Sequence, residues 1–487
     1  MPSRQDHLDK PTPTGVNNPA EAMRVLERIE TRGVRFINLE FTDVVGLAKC
    51  VTIPADQFPD CLAHGKWFDG SAMEGFARVA ESDMYLRPDL ATFAEIPWSG
   101  AMEGVAGGDA VSAGGRGAGA ADGPAGLVAR VICDVLTPTG ERFEGDPRAV
   151  LAGMLAEVET EGYRFEVAPE LEFFLLVEHE GTAREPLPHD RGGYFDLSTD
   201  LAADVRREIV AALARMEVRI ETSHHEVAAG QHEIDFAPAG ALRAADAIVT
   251  ARYVIKAVAQ RHGLWATFLP KPFFDINGSG LHTHQQLITV ANGHNAFADP
   301  ADNRYGLSAT ARQFIAGQLA HAPGMSAILS PLVNSYKRLV AGFEAPVMIS
   351  WGRVNREALI RVPRAAAGAP GGMRVELRSP DPSCNPYLAY AVMLRAGMDG
   401  IRRGLTAPPP VEEALYTLDD DARMRRQVGV LPATLGEALA ALRADEVIRG
   451  ALGELIAEWF IDAKSQEWLE YRRQVHAWEL DRYLPMF

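Results

Sequence analysis

Cysteine is scarce. The four in 487 residues (Cys50, Cys61, Cys133 and Cys384) stand far apart with no CxxC pair. That excludes a disulfide framework and reads as reduced thiols. Positive charge is also short, with 48 Lys and Arg against 65 Asp and Glu and a net charge of −17. Such a balance argues against a nucleic acid or an anionic membrane as partner. No apolar run is long enough to span a bilayer, and Met1-Pro-Ser-Arg-Gln-Asp6 has no apolar signal core. The expectation is a cytoplasmic protein. From Ser99 to Gly126 large apolar residues almost vanish in favour of Gly and Ala. This stretch cannot pack a core and reads as a flexible surface loop. It is no phosphate loop, because the strand and helix that flank one are missing.

What remains is the composition of a globular protein, 47% apolar and 23% charged. The length favours two domains. Residues 1–18 are polar and Pro-rich and are expected to be disordered. A helix over Ala20–Arg32 leads into a strand over Val34–Phe41, which Gly46–Ile53 pairs with across a turn at Asp43. Trp67–Met73 reads as a loop with aromatic anchors, and Leu127–Val135 as a strong strand. From Asp146 strands and amphipathic helices alternate, which implies an α/β domain with antiparallel pieces. Near the C-terminus Thr434-Leu-Gly-Glu437 has the form of a capping box, followed by Leu439, Leu442, Ile448, Leu452 and Ile456 at helical spacing.

The chemistry lies in strands that carry polar residues two positions apart. Glu170-Leu-Glu172 and His282-Thr-His284 each sit in an apolar run, and Arg374-Val-Glu376-Leu-Arg378 alternates in charge. Side chains at i and i+2 of a strand share a face, and a buried charge needs a partner or a metal. With Glu226 and Glu233 added, five carboxylates and the His282 imidazole suit Mg²⁺ or Mn²⁺, two or more ions per site. Arg338, Arg353, Arg356, Arg361, Arg374 and Arg378 recur in Ile- and Val-rich segments of an acidic chain. Guanidinium forks of this kind recognise carboxylate or phosphate. Metal with an arginine clamp is the equipment of phosphoryl transfer.

These segments, with Phe68-Asp-Gly-Ser71, Glu81-Ser-Asp-Met84, His225–Glu233, Asn277–His284, Asn334–Val340 and Phe343-Glu-Ala-Pro346, resemble the glutamine synthetase family from about Phe36 onward. The resemblance implies an α+β fold with an N-terminal β-grasp domain (19–145, with the Gly-rich loop 99–126). A C-terminal catalytic α/β domain (146–487) built on an antiparallel partial barrel would follow. It implies an ATP-dependent ligase that forms the γ-amide of glutamate through a γ-glutamyl phosphate. Glu172, Glu226 and Glu233 would hold one divalent ion, and Glu170, His282 and Glu376 another. Asn277, Gly278, Arg338 and Arg378 would bind glutamate. His284, Arg361 and Arg374 would hold ATP, and Arg356 would stabilise the phosphoryl group. Glu344 would guard the intermediate. Asp69 of a neighbouring subunit, with Tyr194 nearby, would bind the amine. A homo-oligomer, a dodecamer of two hexameric rings, goes with this resemblance.

The family's usual Asp-Gly-Ser-Ser reads Asp69-Gly-Ser-Ala72, which removes a hydroxyl beside the amine pocket. The C-terminal Trp478–Leu484 is similar to paralogues that join glutamate to polyamines and other amines. Both features leave ammonia and an organic amine open as acceptor. A basic residue before the Arg374 strand is missing from Gly368–Met373, which puts one nucleotide contact in doubt. Tyr416 stands where some members carry an adenylylated tyrosine, in surroundings that fit a packed tyrosine better. A non-catalytic sensor of glutamate or nucleotide would have lost metal ligands or Glu344, and none is lost.

Overall fold

The computed structural model describes residues 18–70, 83–99, 126–177, 187–365, 372–413 and 428–487. Residues 1–17, Ala72, nearly all of the Gly-rich stretch, Gly368–Gly371 and Tyr416 lie outside them. The chain divides into two compact units, the first made of Met1–Phe41, Ala48–Phe143 and Ala214–Glu217.

In the first unit the helix Pro19–Arg32 starts where Asn18 accepts from the Glu21 N–H and Pro19 presets the first turn. It buries Ala22, Val25 and Ile29 on one face and ends at Gly33, whose φ is 69°. The sheet runs in the order Ala48–Pro54, Val34–Thr42, Leu127–Leu136, Asp83–Pro88, Lys66–Asp69. Val34–Thr42 and Leu127–Leu136 pair in parallel. The aromatic segment expected as a loop begins instead as the strand Lys66–Asp69, paired antiparallel with Asp83–Leu86. Its Trp67 ring packs against Tyr85 with centroids 3.6 Å apart and planes tilted by 45°, the kind of cross-strand aromatic contact that supports register.

The second unit is built on a ten-stranded sheet whose spine is Tyr163–Val177. Antiparallel neighbours flank it on both sides, Leu281–Thr289 and Gln231–Phe236. Register decides the chemistry here. His282 stands opposite Glu170, Glu233 opposite Glu172 and Asp235 opposite Glu170. One strand further out, Glu376 stands opposite both His284 and Arg361. Residues directly opposite in an antiparallel pair share a face, so the polar positions of five strands converge on one side of the sheet.

Helices Ala309–Ala320 and Pro386–Arg402 pack against each other with backbones almost in contact. A Cβ added to Gly400 would meet the Gln313 carbonyl at 2.1 Å, and one on Gly317 the Ala396 carbonyl at 2.1 Å. Only glycine permits that crossing. The C-terminal periodicity is split among three helices, Leu435–Ala444, Glu446–Leu452 and Glu454–Tyr471. Asp445 caps the second with its side chain, and Gly453 at φ 76° breaks the run. Thr434 caps the first as expected, while the Glu437 carboxylate reaches back to the Ala433 N–H, one residue earlier than a capping box requires.

His321 ties these helices together. Its Nδ1 donates to Asp445 at 2.8 Å and its Nε2 to Asp399 at 3.0 Å. Burial alone would lower the imidazole's pKa, but the hydrogen bonds to Asp445 and Asp399 outweigh it and the pKa is raised. A raised histidine stabilises fully below its unfolded value and loses that contribution as pH rises through the folded one. His321→Gln is therefore expected to cost about 1–3 kcal/mol near pH 6 and markedly less near pH 9, read by denaturant melts. An equal loss at both pH values would mean the ring is held neutral.

Candidate active site

The convergent face opens into a cavity of about 580 Å³. Glu170, Glu172, Glu226, Glu233, His282 and Glu376 line it, with Asn277, Gly278, Tyr194, Arg338, Glu344, Arg356, Arg361 and Arg378. The strands bring the carboxylates in from the sheet, and the loops after Gly192, Phe268 and Leu339 close the remaining sides. His284 and Arg374 instead line a second cavity of about 280 Å³, where the Arg374 Nε donates to the His284 Nδ1 at 3.2 Å. Glu170 and Asp235 border both cavities. Asp69 belongs to the first unit, where it ends its strand opposite Asp83.

Glu170, His282 and Glu376 place one ligand atom each within 4.8 Å of one another. Burial would raise the Glu170 pKa, but hydrogen bonds from His282 (3.2 Å) and His284 (2.7 Å) more than offset it, and its carboxyl lies well below the usual range. Glu376 is also lowered, because its neighbours His284 and Arg378 outweigh its burial. The other carboxylates behave oppositely. Burial, assisted by the Glu226 charge, pushes Glu172 up to about 7. Burial and the Glu172 charge raise Glu233 well above its ordinary value. Carboxylates packed this way cannot all ionise unaided, and a divalent cation is the partner that lets them. A hard cation fits this oxygen-rich donor set.

Two arginines that line the cavity differ sharply in setting. Arg338 is 3% exposed and donates to the carbonyls of Arg378, Ser379 and Pro380 at 2.9–3.2 Å. Arg356 is exposed at the cavity. Arg361 and Arg378 both pair with Glu376. Glu344 and Phe195 hold φ of 55° and 60°, a left-handed backbone rare outside glycine. Strain of this kind gathers at functional sites.

Sequence reading missed several lining residues, chiefly His224, Gln231, Asp235 and Phe195. The signal was present. Gln231, Glu233 and Asp235 alternate along one strand, and His224 stands opposite Glu233 in the next. Gln231 Nε2 donates to Glu172 at 2.9 Å and to the Gly278 carbonyl at 3.1 Å, so it ties the carboxylate to the Asn277–Gly278 loop.

Comparison with known proteins decides the relationship. The descriptions "Glutamine synthetase, catalytic domain" and "Glutamine synthetase, beta-Grasp domain" match residues 144–483 and 33–106. The chain belongs to the glutamine synthetase family. Among curated relatives, the glutamine synthetase of Halobacterium salinarum is 48% identical over 464 residues, 95% of this chain and 96% of that one. That of Thermus thermophilus is 49% identical over 465 residues, 95% and 98% respectively. A solved structure described as "GmaS/ADP complex-Conformation 1" is 31% identical with a TM-score of 0.78, over 94% of this chain and 99% of that one. The fold is therefore the family's, a β-grasp domain and a catalytic domain whose sheet curls into a half-barrel. Members of the glutamine synthetase family are glutamate–ammonia ligases, enzymes that form a C–N bond.

Proposed function

We propose that this chain is an ATP-dependent ligase that joins ammonia to the γ-carboxylate of L-glutamate. The observation that carries this reading is the convergence of six metal-type ligands and four arginines on one cavity of the family's catalytic domain. Residues 19–145 serve as the β-grasp domain and 146–487 as the catalytic domain.

Glu170, His282 and Glu376 would hold one divalent cation, and Glu172, Glu226 and Glu233 a second, as Mg²⁺ or Mn²⁺. Bound there, such ions neutralise charge on transferring phosphoryl oxygens. The remaining chemistry falls to the chain's own groups. Asn277, Gly278, Arg338 and Arg378 orient glutamate, while His284, Arg361 and Arg374 hold the nucleotide. A γ-carboxylate oxygen of glutamate attacks the terminal phosphorus of ATP. The new P–O bond forms as the bond to ADP breaks, leaving γ-glutamyl phosphate and ADP. Arg356 steadies the charge on the phosphoryl group in flight. Ammonium is not a nucleophile until it loses a proton, which Glu226, with Asp69 from a neighbouring copy, attracts and accepts. Ammonia then attacks the acyl carbon and phosphate leaves. Glu344 keeps water from the intermediate.

The organic-amine reading is not favoured. Relatives 43–49% identical over most of the chain are glutamine synthetases by name. Retention of the metal ligands and Glu344 weighs against a sensor. No described helix is long and apolar enough to cross a membrane, and a cytoplasmic location goes with the family reading. The exposed apolar C-terminal end, with Trp478 61% and Phe487 99% exposed, supports a homo-oligomer, in our reading a dodecamer of two hexameric rings.

The test is glutamate-dependent ADP release in Mg²⁺ or Mn²⁺, with ammonium compared to putrescine, spermine and ethanolamine at equal concentration. Ammonium is expected to give the highest turnover. A preference for any of the amines would move the assignment to a γ-glutamyl-amine ligase, and silence with all of them would return it to a sensor.

A further inference from the structure

Behind the cavity wall lies a polar cluster that the reaction above does not use, made of Asp190, His225, His232 and Arg206, all buried. His225 Nε2 donates to Asp190 Oδ1 at 2.8 Å and its Nδ1 to the Glu226 carbonyl at 2.6 Å. Asp190 accepts three backbone N–H groups besides, those of Gly192 (3.3 Å), Gly230 (3.0 Å) and Leu201 (3.1 Å). The His225 carbonyl accepts the Phe195 N–H at 3.2 Å. One imidazole–carboxylate pair thus ties both ends of the segment that presents Tyr194 and Phe195 to the turn that presents Glu226. The close packing is explicit at Gly192, where an added Cβ would meet His225 Nε2 at 2.8 Å.

The same groups lie near enough together to ligate a cation, but Arg206 Nη1 stands 3.0 Å from His232 Nδ1 and is itself held by Asp200 at 2.9 Å. A guanidinium at that distance takes the place a cation would need. His232 completes the cluster by packing edge-on against His225 at 4.8 Å.

We propose that the Asp190–His225 pair is a positioning device for the acceptor. It sets the spacing of Tyr194, Phe195 and Glu226, so that capture of ammonium depends on it more than glutamate and ATP binding do. The inference rests on the ligase reading above and adds a specificity role to residues that touch no substrate. Polar partners standing behind a functional residue typically matter by about tenfold to hundredfold when removed.

Two variants approach the device from opposite sides. Asp190→Asn removes the charge and keeps the shape, while Gly192→Ala adds one methyl group against His225 and leaves both polar partners in place. Each is expected to raise the KM for ammonium by about tenfold or more, with the KM for glutamate and for ATP changed by less than about twofold. Hydrogen exchange in Asp190→Asn is expected to speed up in 190–201 and 226–230 and nowhere else. An unchanged ammonium KM, or three KM values rising together, overturns the proposal. So does unchanged exchange in both segments, a readout that needs no turnover. Absence of ammonium turnover in the unaltered enzyme would instead sink the ligase reading, leaving the exchange pattern to decide whether Asp190 holds this wall.

Discussion

Stripping divalent cations with a chelator is expected to abolish glutamate-dependent ADP release and to lower the melting temperature, both restored by Mg²⁺ or Mn²⁺. The size of the effect follows from the buried carboxylates. Burial pushes Glu172 up to about 7, and Glu233 is raised well above its usual range. An acid whose folded pKa is raised binds more protons folded than unfolded, so it weakens the fold as pH climbs from about 4.3 toward its folded value. A bound cation reverses that penalty, since it binds the ionised form. A ligand at about a hundred times its Kd stabilises by about 2.7 kcal/mol. The gap in melting temperature between loaded and stripped protein is therefore expected to widen between about pH 6 and about pH 8. Stripped protein that melts like the loaded form at both pH values would show that these carboxylates hold no cation.

Replacing Arg338 by Met should cost about 3–5 kcal/mol, the range for breaking a buried charged network by removing one partner. Three carbonyls lose their donor, and the charge that faces buried Glu172 is gone. Arg338→Lys restores the charge without the fork and is expected to recover only part of the loss. The matched change at exposed Arg356 should leave stability within about 0.5 kcal/mol and lower kcat by about a hundredfold or more. Melting curves and steady-state rates on the three variants separate the roles. If Arg356→Met melts as early as Arg338→Met, burial has not distinguished these two arginines.

Much of the site was legible because a strand alternates. Glu170 and Glu172, or His282 and His284, announce a shared face with no knowledge of the fold. Cross-strand register was not legible. The alternation of Gln231, Glu233 and Asp235 is visible in the sequence, but nothing in it says that Glu233 will stand opposite Glu172 and His224. Arg338 was visible as an arginine in an apolar run, but its commitment to three backbone carbonyls depends on where distant loops fold. The strand at Trp67 has little sequence signature, because it is only four residues long and its partner Tyr85 lies well downstream. The C-terminal periodicity was real, yet a period does not reveal where Asp445 and Gly453 interrupt it.

Glu170 borders the large cavity and the small one together. Asp235 does the same, and carboxylates shared in this way couple the two cavities. A charged group bound in the smaller cavity would change the field that the larger one meets. Binding free energies are reciprocal, so a nucleotide that tightens glutamate by some factor must itself be tightened by glutamate by the same factor.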